Sequence, residues 1–123
     1  MMSTGVPPMG LERLAERNDM VSLDEAAALS GVPPSQLRRW ASLKRPRVIA
    51  LQHPRLGLRL PRWQFDSAIF PVVQQLGSLL GGDALTMLIW LETPLGAFQG
   101  LTPRSALEQG ESLERVLKLA GFD

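Results

Sequence analysis

Cysteine and tyrosine are absent from this chain of 123 residues, and histidine occurs only once. Without cysteine the chain has neither disulfides nor a thiol nucleophile, a composition that suits a reducing cytoplasm. His53 has no acidic residue near it in the sequence, so we expect an exposed loop histidine and no metal site. Gly81-Gly82-Asp83 lacks the lysine and the spacing of a P-loop. These absences predict a protein that is not an enzyme and that carries no cofactor.

Long apolar runs are also missing. The most apolar stretch, residues 84–91, is far too short to cross a bilayer. Residues 1–8 lack a charged segment followed by an apolar one, so we expect no signal peptide. With 45% apolar residues, the composition is that of a globular chain. We therefore expect a soluble, cytoplasmic protein of one domain, or of two small ones that share a core.

Acidic residues are missing from one continuous part of the chain. Residues 1–66 carry a net charge of +4 and residues 67–123 a net charge of −3, although the whole chain stands at +1. Residues 36–62 hold eight of the 13 Lys and Arg residues and no Asp or Glu. A cationic stretch of this kind suits a polyanion, since each neutralised phosphate releases a condensed counterion. Basic stretches are often only solvated faces. Whether this one binds a polyanion depends on the helices and strands that carry it.

Residues 22–42 predict two short helices joined by a tight turn. Ser22 and Glu25 form an S-x-x-E capping box, and Gly31 ends the first helix. Pro34 suits the first position of the second helix, whose apolar residues repeat at helical spacing. Such a pair is typical of a helix-turn-helix, whose second helix enters the major groove of DNA. The alternative is a helical hairpin in some core, with its arginines merely solvated.

Two strands are predicted after these helices, at residues 47–51 and 57–60, around a turn that contains Pro54. A basic hairpin behind the second helix is typical of a wing, and Arg55 at its tip would touch phosphate or the minor groove. Trp63 either packs into the core or stacks on a base, and the small size of the domain favours the core. The predicted DNA-binding residues are Ser35, Gln36, Arg38, Arg39, Lys44, Arg45, Arg55, Arg59 and Arg62.

Residues 67–123 predict a compact bundle of about four helices. These are residues 69–80 and 84–91, a short helix between Thr102 and Gly110, and a last one between Ser112 and Gly121. Residues 84–91 are apolar on nearly every side, which predicts a buried central helix. The chain is thus predicted to be mainly α. Its parts are a tail with a possible short helix at 1–19, a small winged helix-turn-helix with a two-stranded β-hairpin at 20–66, and a helical domain at 67–123.

Three segments of the second half carry a resemblance: Trp90-Leu-Glu-Thr-Pro94, Gly100-Leu-Thr-Pro-Arg-Ser-Ala-Leu-Glu-Gln-Gly110-Glu and Val116-Leu-Lys-Leu-Ala120. Over residues 68–123 the chain resembles the toxin-binding domain of the Xre/MbcA/ParS antitoxins. Its most specific part is Gly100-Leu-Thr-Pro with Gly110 behind it. The front half looks less like the Xre helix-turn-helix than like the compact winged type of MerR-like and excisionase-like proteins. Its Gly57-Leu-Arg-Leu-Pro-Arg-Trp-Gln-Phe-Asp66 segment looks like the join seen in related antitoxin-like proteins.

The resemblance implies an antitoxin of a type II toxin-antitoxin system. Such a protein covers the active-site entrance of a RES-type, NAD-consuming toxin and represses its own operon, as a homodimer or a toxin-bound hetero-oligomer. The implied partners are the cognate toxin and double-stranded operator DNA. The predicted partner-binding residues are Trp90, Pro94, Leu95, Phe98, Leu101, Thr102, Pro103 and Leu107. Whether Phe98 and Leu101 contact the toxin or fill the bundle stays open.

Two other functions stay open as well. An orphan or excisionase-like DNA-binding regulator would use the helical half only for dimerisation, and toxin co-expression would then not restore growth. A protein-interaction module would use the helix-turn-helix only as a scaffold. Such a module would show no salt-dependent DNA binding.

Overall fold

The computed structural model describes residues 8–121, which form seven α-helices and one three-stranded antiparallel sheet. The front half consists of α1 (Pro8–Ala15), β1 (Met20–Ser22), α2 (Leu23–Ser30), α3 (Pro34–Ser42), β2 (Leu51–His53) and β3 (Gly57–Pro61). A 3₁₀ helix (Arg62–Phe65) leads into α4 (Phe70–Leu80), α5 (Ala84–Leu91), a second 3₁₀ helix (Gly96–Phe98), α6 (Pro103–Glu108) and α7 (Leu113–Gly121). The prediction of a mainly α protein is confirmed. Of the predicted tail, residues 1–7 lie outside the described range, and the possible short helix is α1.

Helices begin and end where the local sequence predicts. The Ser22 hydroxyl accepts the Glu25 N–H at 3.1 Å, and the Glu25 carboxylate accepts the Ser22 N–H at 3.0 Å. Gly31 ends α2 at a φ of 75°, a left-handed conformation that glycine adopts without a Cβ penalty. Asp83 caps α5 by accepting the Thr86 N–H at 3.0 Å. These contacts satisfy backbone groups that a helix end otherwise leaves free.

The sheet differs from the predicted two-stranded hairpin. β3 is its central strand, with β1 on one side and β2 on the other, and Val21 pairs with Leu60. The strand predicted at residues 47–51 is wrong, since only Leu51 belongs to β2. Ile49 instead forms both backbone hydrogen bonds with the buried side-chain amide of Gln64, each at 2.8 Å. A side chain thus supplies the pairing that a neighbouring strand would have supplied.

Two apolar clusters make up the core, and the larger one takes residues from both halves of the chain. Ala15, Met20, Ile49 and Leu51 of the front half pack with buried residues of α4 to α7. The smaller cluster lies between α2, α3 and the sheet; its buried members are Val21, Ala26, Leu37, Val48 and Leu60. The two halves therefore share a core, as the length of the chain had suggested.

The loop after α3 lies directly on α4. A Cβ atom on Gly77 would fall inside contact distance of the Pro46 carbonyl oxygen, so the two backbones can approach only because residue 77 is glycine. Arg45 Nη1 donates to the Gly81 carbonyl at 3.0 Å, and the Gln74 amide donates to the Arg47 carbonyl. This loop fixes the front half against the helical half.

Helix α5 is covered on one side only. Met87, Leu88 and Leu91 are buried, whereas Ile89 is 56% exposed, so the prediction of a fully buried helix is wrong for that face. Among residues 8–121 no helix is by itself long and apolar enough to cross a bilayer. The pair α4 and α5 meets that length and composition only when taken together, and it bends by 117° at the break.

Candidate functional site

One side of α3 faces solvent and carries cations. On the opposite side of α3, Leu37 is fully buried. Ser35, Arg38 and Arg39 are exposed, and Gln36 is half-buried. Because side chains three and four positions apart share a helix face, Ser35, Arg38 and Arg39 point to one side. The residues predicted for DNA contact on this helix are therefore accessible.

The cations of residues 36–62 differ from most others because they have no carboxylate partner. Arg17, Arg104 and Arg115 each form ion pairs with acidic side chains. None of the eight Lys and Arg side chains of residues 36–62 pairs with a carboxylate of the described residues. Uncompensated like charges on one surface repel one another, and a bound polyanion would relieve that repulsion.

Not all of these cations are equally free. Arg45 bonds the Gly81 carbonyl, and Arg59 donates to the carbonyls of Ala15 and Met20, both at 3.2 Å. Arg59 thereby holds β3 to the last residue of α1 and the first residue of β1. Five other predicted DNA-binding cations are exposed and make no side-chain hydrogen bond within the described residues. They are Arg38, Arg39, Lys44, Arg55 and Arg62.

The turn between β2 and β3 is anchored by His53. Its Nδ1 accepts the backbone N–H groups of Arg55 at 3.1 Å and Leu56 at 3.0 Å, and its Nε2 lies 2.6 Å from a Glu16 carboxylate oxygen. Because Nδ1 accepts twice, the ring hydrogen is on Nε2 and is donated to Glu16. His53 is 1% exposed, so the prediction of an exposed loop histidine is wrong. Its acidic partner lies 37 positions away along the chain.

Glu12 joins this pair, and one ligand atom from each of the three residues lies within 4.8 Å of the others. A metal bound there would need a lone pair on His53 Nε2 and a hydrogen on Nδ1. That hydrogen would point at two backbone N–H groups that already donate to Nδ1. The arrangement therefore suits a hydrogen-bonded anchor better than a divalent cation.

An ionic network crosses from the front half to the helical half. Arg17 is paired with Asp19 and donates through Nη1 to Glu92 at 2.9 Å, and Glu92 also accepts from Arg104 at 3.2 Å. Trp63 Nε1 donates to Asp19 at 2.8 Å, and the Arg104 guanidinium lies 4.4 Å from the Trp63 ring centroid. The prediction that Trp63 packs in the core is confirmed.

The hydrogen bonds of this network shift the pKa values of Asp19 and Arg17 in favour of their charged forms. Burial alone would raise the pKa of Asp19, but hydrogen bonds from Arg17 and Trp63 outweigh burial and lower that pKa below its ordinary value. Hydrogen bonds to Glu92 and Asp19 raise the pKa of Arg17. Both groups stay ionised near neutral pH, so the ion pairs between the two halves persist there.

The predicted partner-binding residues separate into buried and accessible ones. Phe98, Pro103 and Leu107 are buried in the helical core, so in this conformation they are not on the surface. Of the two roles left open for Phe98, it has the structural one. Thr102 caps α6 by accepting the Ser105 N–H at 3.0 Å. Of the other apolar members, Pro94 and Leu101 are exposed, whereas Trp90 and Leu95 are half-buried and pack against the core.

Pro94, Leu95 and Leu101 belong to the segment between α5 and α6. The Thr93 hydroxyl donates to the Ile89 carbonyl, which keeps the following segment near the end of α5. The Leu95 N–H donates to the Leu101 carbonyl at 3.1 Å and closes the loop between them. Ile89 thus lies in the last part of α5, and Pro94, Leu95 and Leu101 lie in the loop segments that follow it; we term these four residues the apolar face.

Sequence reasoning missed Ile89 and Leu56. All residues of α5 except Thr86 are apolar, so no periodicity distinguishes its covered side from its open side. Leu56 is 52% exposed in the turn between β2 and β3. The sequence signal for its exposure was its position in a predicted turn, next to Arg55.

The chain has no match among models of known protein families, among curated proteins or among solved structures. What the described residues offer is two different surfaces on one core. The front half presents unpaired cations, and the helical half presents the apolar face.

Proposed function

We propose that this chain is a DNA-binding antitoxin, in which the front half binds the operator of its own operon and the helical half neutralises a cognate RES-type toxin. The unpaired, exposed cations of α3, the following loop and the hairpin turn carry the DNA-binding part. The resemblance of residues 68–123 to Xre/MbcA/ParS antitoxins and the apolar face support the toxin-binding part.

The order of elements supports a winged helix-turn-helix. α1, β1, α2, α3, β2 and β3 follow one another, with β3 between β1 and β2 in the sheet. Three residues join α2 to α3, and Gly31 among them provides the tight turn that such a unit needs. In this arrangement α3 is the recognition helix, and the turn between β2 and β3 is the tip of the wing.

Two arginine variants separate base contact from phosphate contact. We expect Arg38→Ala to weaken binding to the preferred duplex by about 1–3 kcal/mol and to relax sequence preference, since Arg38 is expected to meet a base edge. We expect Arg55→Ala to weaken all duplexes alike and to reduce the salt slope by about one, since Arg55 is expected to meet phosphate. Fluorescence anisotropy with duplexes from upstream of the gene, at several salt concentrations, measures both effects.

Lys118→Ala is the matched control for these variants. Lys118 is exposed on α7 and has no ion pair within the described residues, so its removal changes the net charge equally but in the helical half. We expect its affinity for DNA to equal that of the wild type. Equal losses on preferred and random duplexes for Arg38→Ala would contradict the assignment of α3 as the recognition helix.

The residues of the helical half that carry the antitoxin resemblance stabilise α6 in this fold. Thr102 caps α6, Pro103 occupies its first turn, and Gly110 lies at a φ of 99° beyond its end. They thereby set the position of α6, and the closed loop before it carries Leu95 and Leu101. The surface left for a partner is the apolar face.

Substitution of Ile89 tests the toxin-binding part. In cells that express an adjacent toxin gene, we expect wild-type protein to restore growth and Ile89→Lys to fail, because a lysine there would be buried unpaired against the toxin. Loss of such a central contact weakens binding by about 2 kcal/mol or more. Leu29→Lys, at a 51% exposed position on α2, should still restore growth. Full rescue by Ile89→Lys would remove the apolar face from the toxin interface.

The apolar face also favours a second function, an orphan regulator that dimerises through the helical half. An exposed isoleucine, with prolyl and leucyl residues in the segment that follows its helix, suits a second copy of the chain as well as a toxin. Sedimentation of the purified protein, with and without the toxin, distinguishes the two. A stable dimer that Ile89→Lys dissociates, together with no toxin complex, would favour the regulator.

A further inference from the structure

The tip of the hairpin turn combines one cation with one apolar side chain. Arg55 is exposed, and the neighbouring Leu56 is 52% exposed. Pro54 before them is exposed too, so nothing in the described residues covers the tip. A single exposed leucine is ordinary on a protein surface, and by itself it needs no explanation. Leu56 differs from other exposed leucines in its position in the hairpin turn and in the hydrogen bond that fixes its backbone.

The support comes from a buried side chain. His53 accepts the backbone N–H groups of both Arg55 and Leu56, and its other ring nitrogen donates to Glu16, which directly follows α1. The two residues that could enter a groove are therefore the two whose backbone is fixed to the core. A preorganised contact loses less conformational entropy on binding than a mobile loop does.

Most other exposed leucines lie on or next to helices, whereas Leu101 lies in the loop before α6. Leu11, Leu29 and Leu79 extend from α1, α2 and α4, and Leu43 directly follows α3. Leu56 alone among the strongly exposed leucines of the described residues lies in the hairpin turn, next to an unpaired arginine. Proteins that enter the minor groove combine these two side-chain types. Arg or Lys follows the groove, and an apolar wedge such as Leu inserts between base steps.

We propose that this tip enters the minor groove of the bound duplex, where Arg55 contacts flanking phosphates and Leu56 partly unstacks one base step and bends the DNA. The inference rests on the DNA binding proposed above and adds a second activity to it, deformation of the operator. Wedges of this kind kink a duplex by about 20–90°. Flexible pyrimidine–purine steps kink most easily, so the wedge would favour them without reading base edges.

The test uses the full chain and duplexes tiled across the region upstream of its gene. Each duplex carries 2-aminopurine at one position, because its fluorescence rises when the base unstacks, and a donor and acceptor dye at its ends. With wild-type protein at saturation, we expect one position to brighten and the ends to approach. With Leu56→Ala we expect binding weakened by no more than about tenfold, with most of the brightening and the bend lost. Leu29→Ala, an equally exposed leucine on α2, should behave as the wild type.

The outcomes separate the two proposals. DNA binding by the wild type without brightening at any position would overturn the wedge and leave the DNA-binding function intact. Equal brightening by Leu56→Ala and the wild type would also overturn it, since the unstacking would then have another cause. No salt-dependent binding to any duplex would overturn both the DNA-binding function and the wedge.

Discussion

Gln64→Leu is expected to lower the free energy of unfolding by about 3 kcal/mol, because it leaves two buried backbone groups of Ile49 without partners. Each orphaned group costs roughly 2 kcal/mol, and the apolar leucine returns about 1 kcal/mol of that total. Gln64 is fully buried, so water cannot replace the lost hydrogen bonds. Thermal unfolding followed by circular dichroism should show a midpoint lower by roughly 10 °C.

Gln75→Leu is the control for the same chemical change at an exposed site. The Gln75 amide donates only to the Pro71 carbonyl of its own helix, at 3.3 Å. We expect a change within about 0.5 kcal/mol. A Gln64→Leu protein as stable as the wild type would mean that Ile49 finds other partners, and that Gln64 does not hold the loop after α3.

Gly77→Ala is expected to destabilise the protein by about 2 kcal/mol, although alanine favours helices. The new Cβ would meet the backbone of Pro46, its nitrogen at 3.3 Å and its carbonyl oxygen closer still. Overpacking against a backbone that cannot rotate away costs about 3 kcal/mol. Helix propensity returns about 1 kcal/mol, so the steric clash wins. Urea unfolding measures the difference as a lower midpoint at unchanged slope.

Gly96→Ala is the matched control, because nothing lies within 4 Å of a Cβ at that position and its φ is not positive. We expect it to be neutral or slightly stabilising, since alanine restricts the unfolded chain. If Gly77→Ala were also neutral, the loop of residues 44–47 would be free to move away from α4. The two halves would then be less firmly docked than the contacts indicate.

Local signals in the sequence predicted most helix ends and the basic face. Ser22, Asp83 and Thr102 were recognisable as caps because the groups they bond lie only three residues ahead. Arg38 and Arg39 were recognisable because Leu37 marks the buried side of a short helix. In each case the evidence lies within one helical turn of the chain.

Long-range contacts explain what the sequence did not reveal. β1 is only three residues long and exists because it pairs with β3, about 40 positions away. Val48 and Ile49 have strand-forming side chains, but a glutamine 15 positions later takes the backbone bonds. His53 is buried where α1 packs on β2, and its partner Glu16 directly follows α1, 37 positions earlier in the chain. Tertiary contact overrides local preference at each of these positions.

The shared core limits how this chain can be divided. Ile49 and Leu51 belong to the front half by position, yet they share one apolar cluster with buried residues of α4 to α7. A graft of residues 20–66 onto another protein would remove both side chains from this cluster and would separate Trp63 from Arg104. Recombination between related genes would meet the same obstacle, because a crossover near residue 66 would separate Ile49, Leu51 and Trp63 from residues that they pack with. The unit that can be exchanged is the whole chain, and its two surfaces would have to change together.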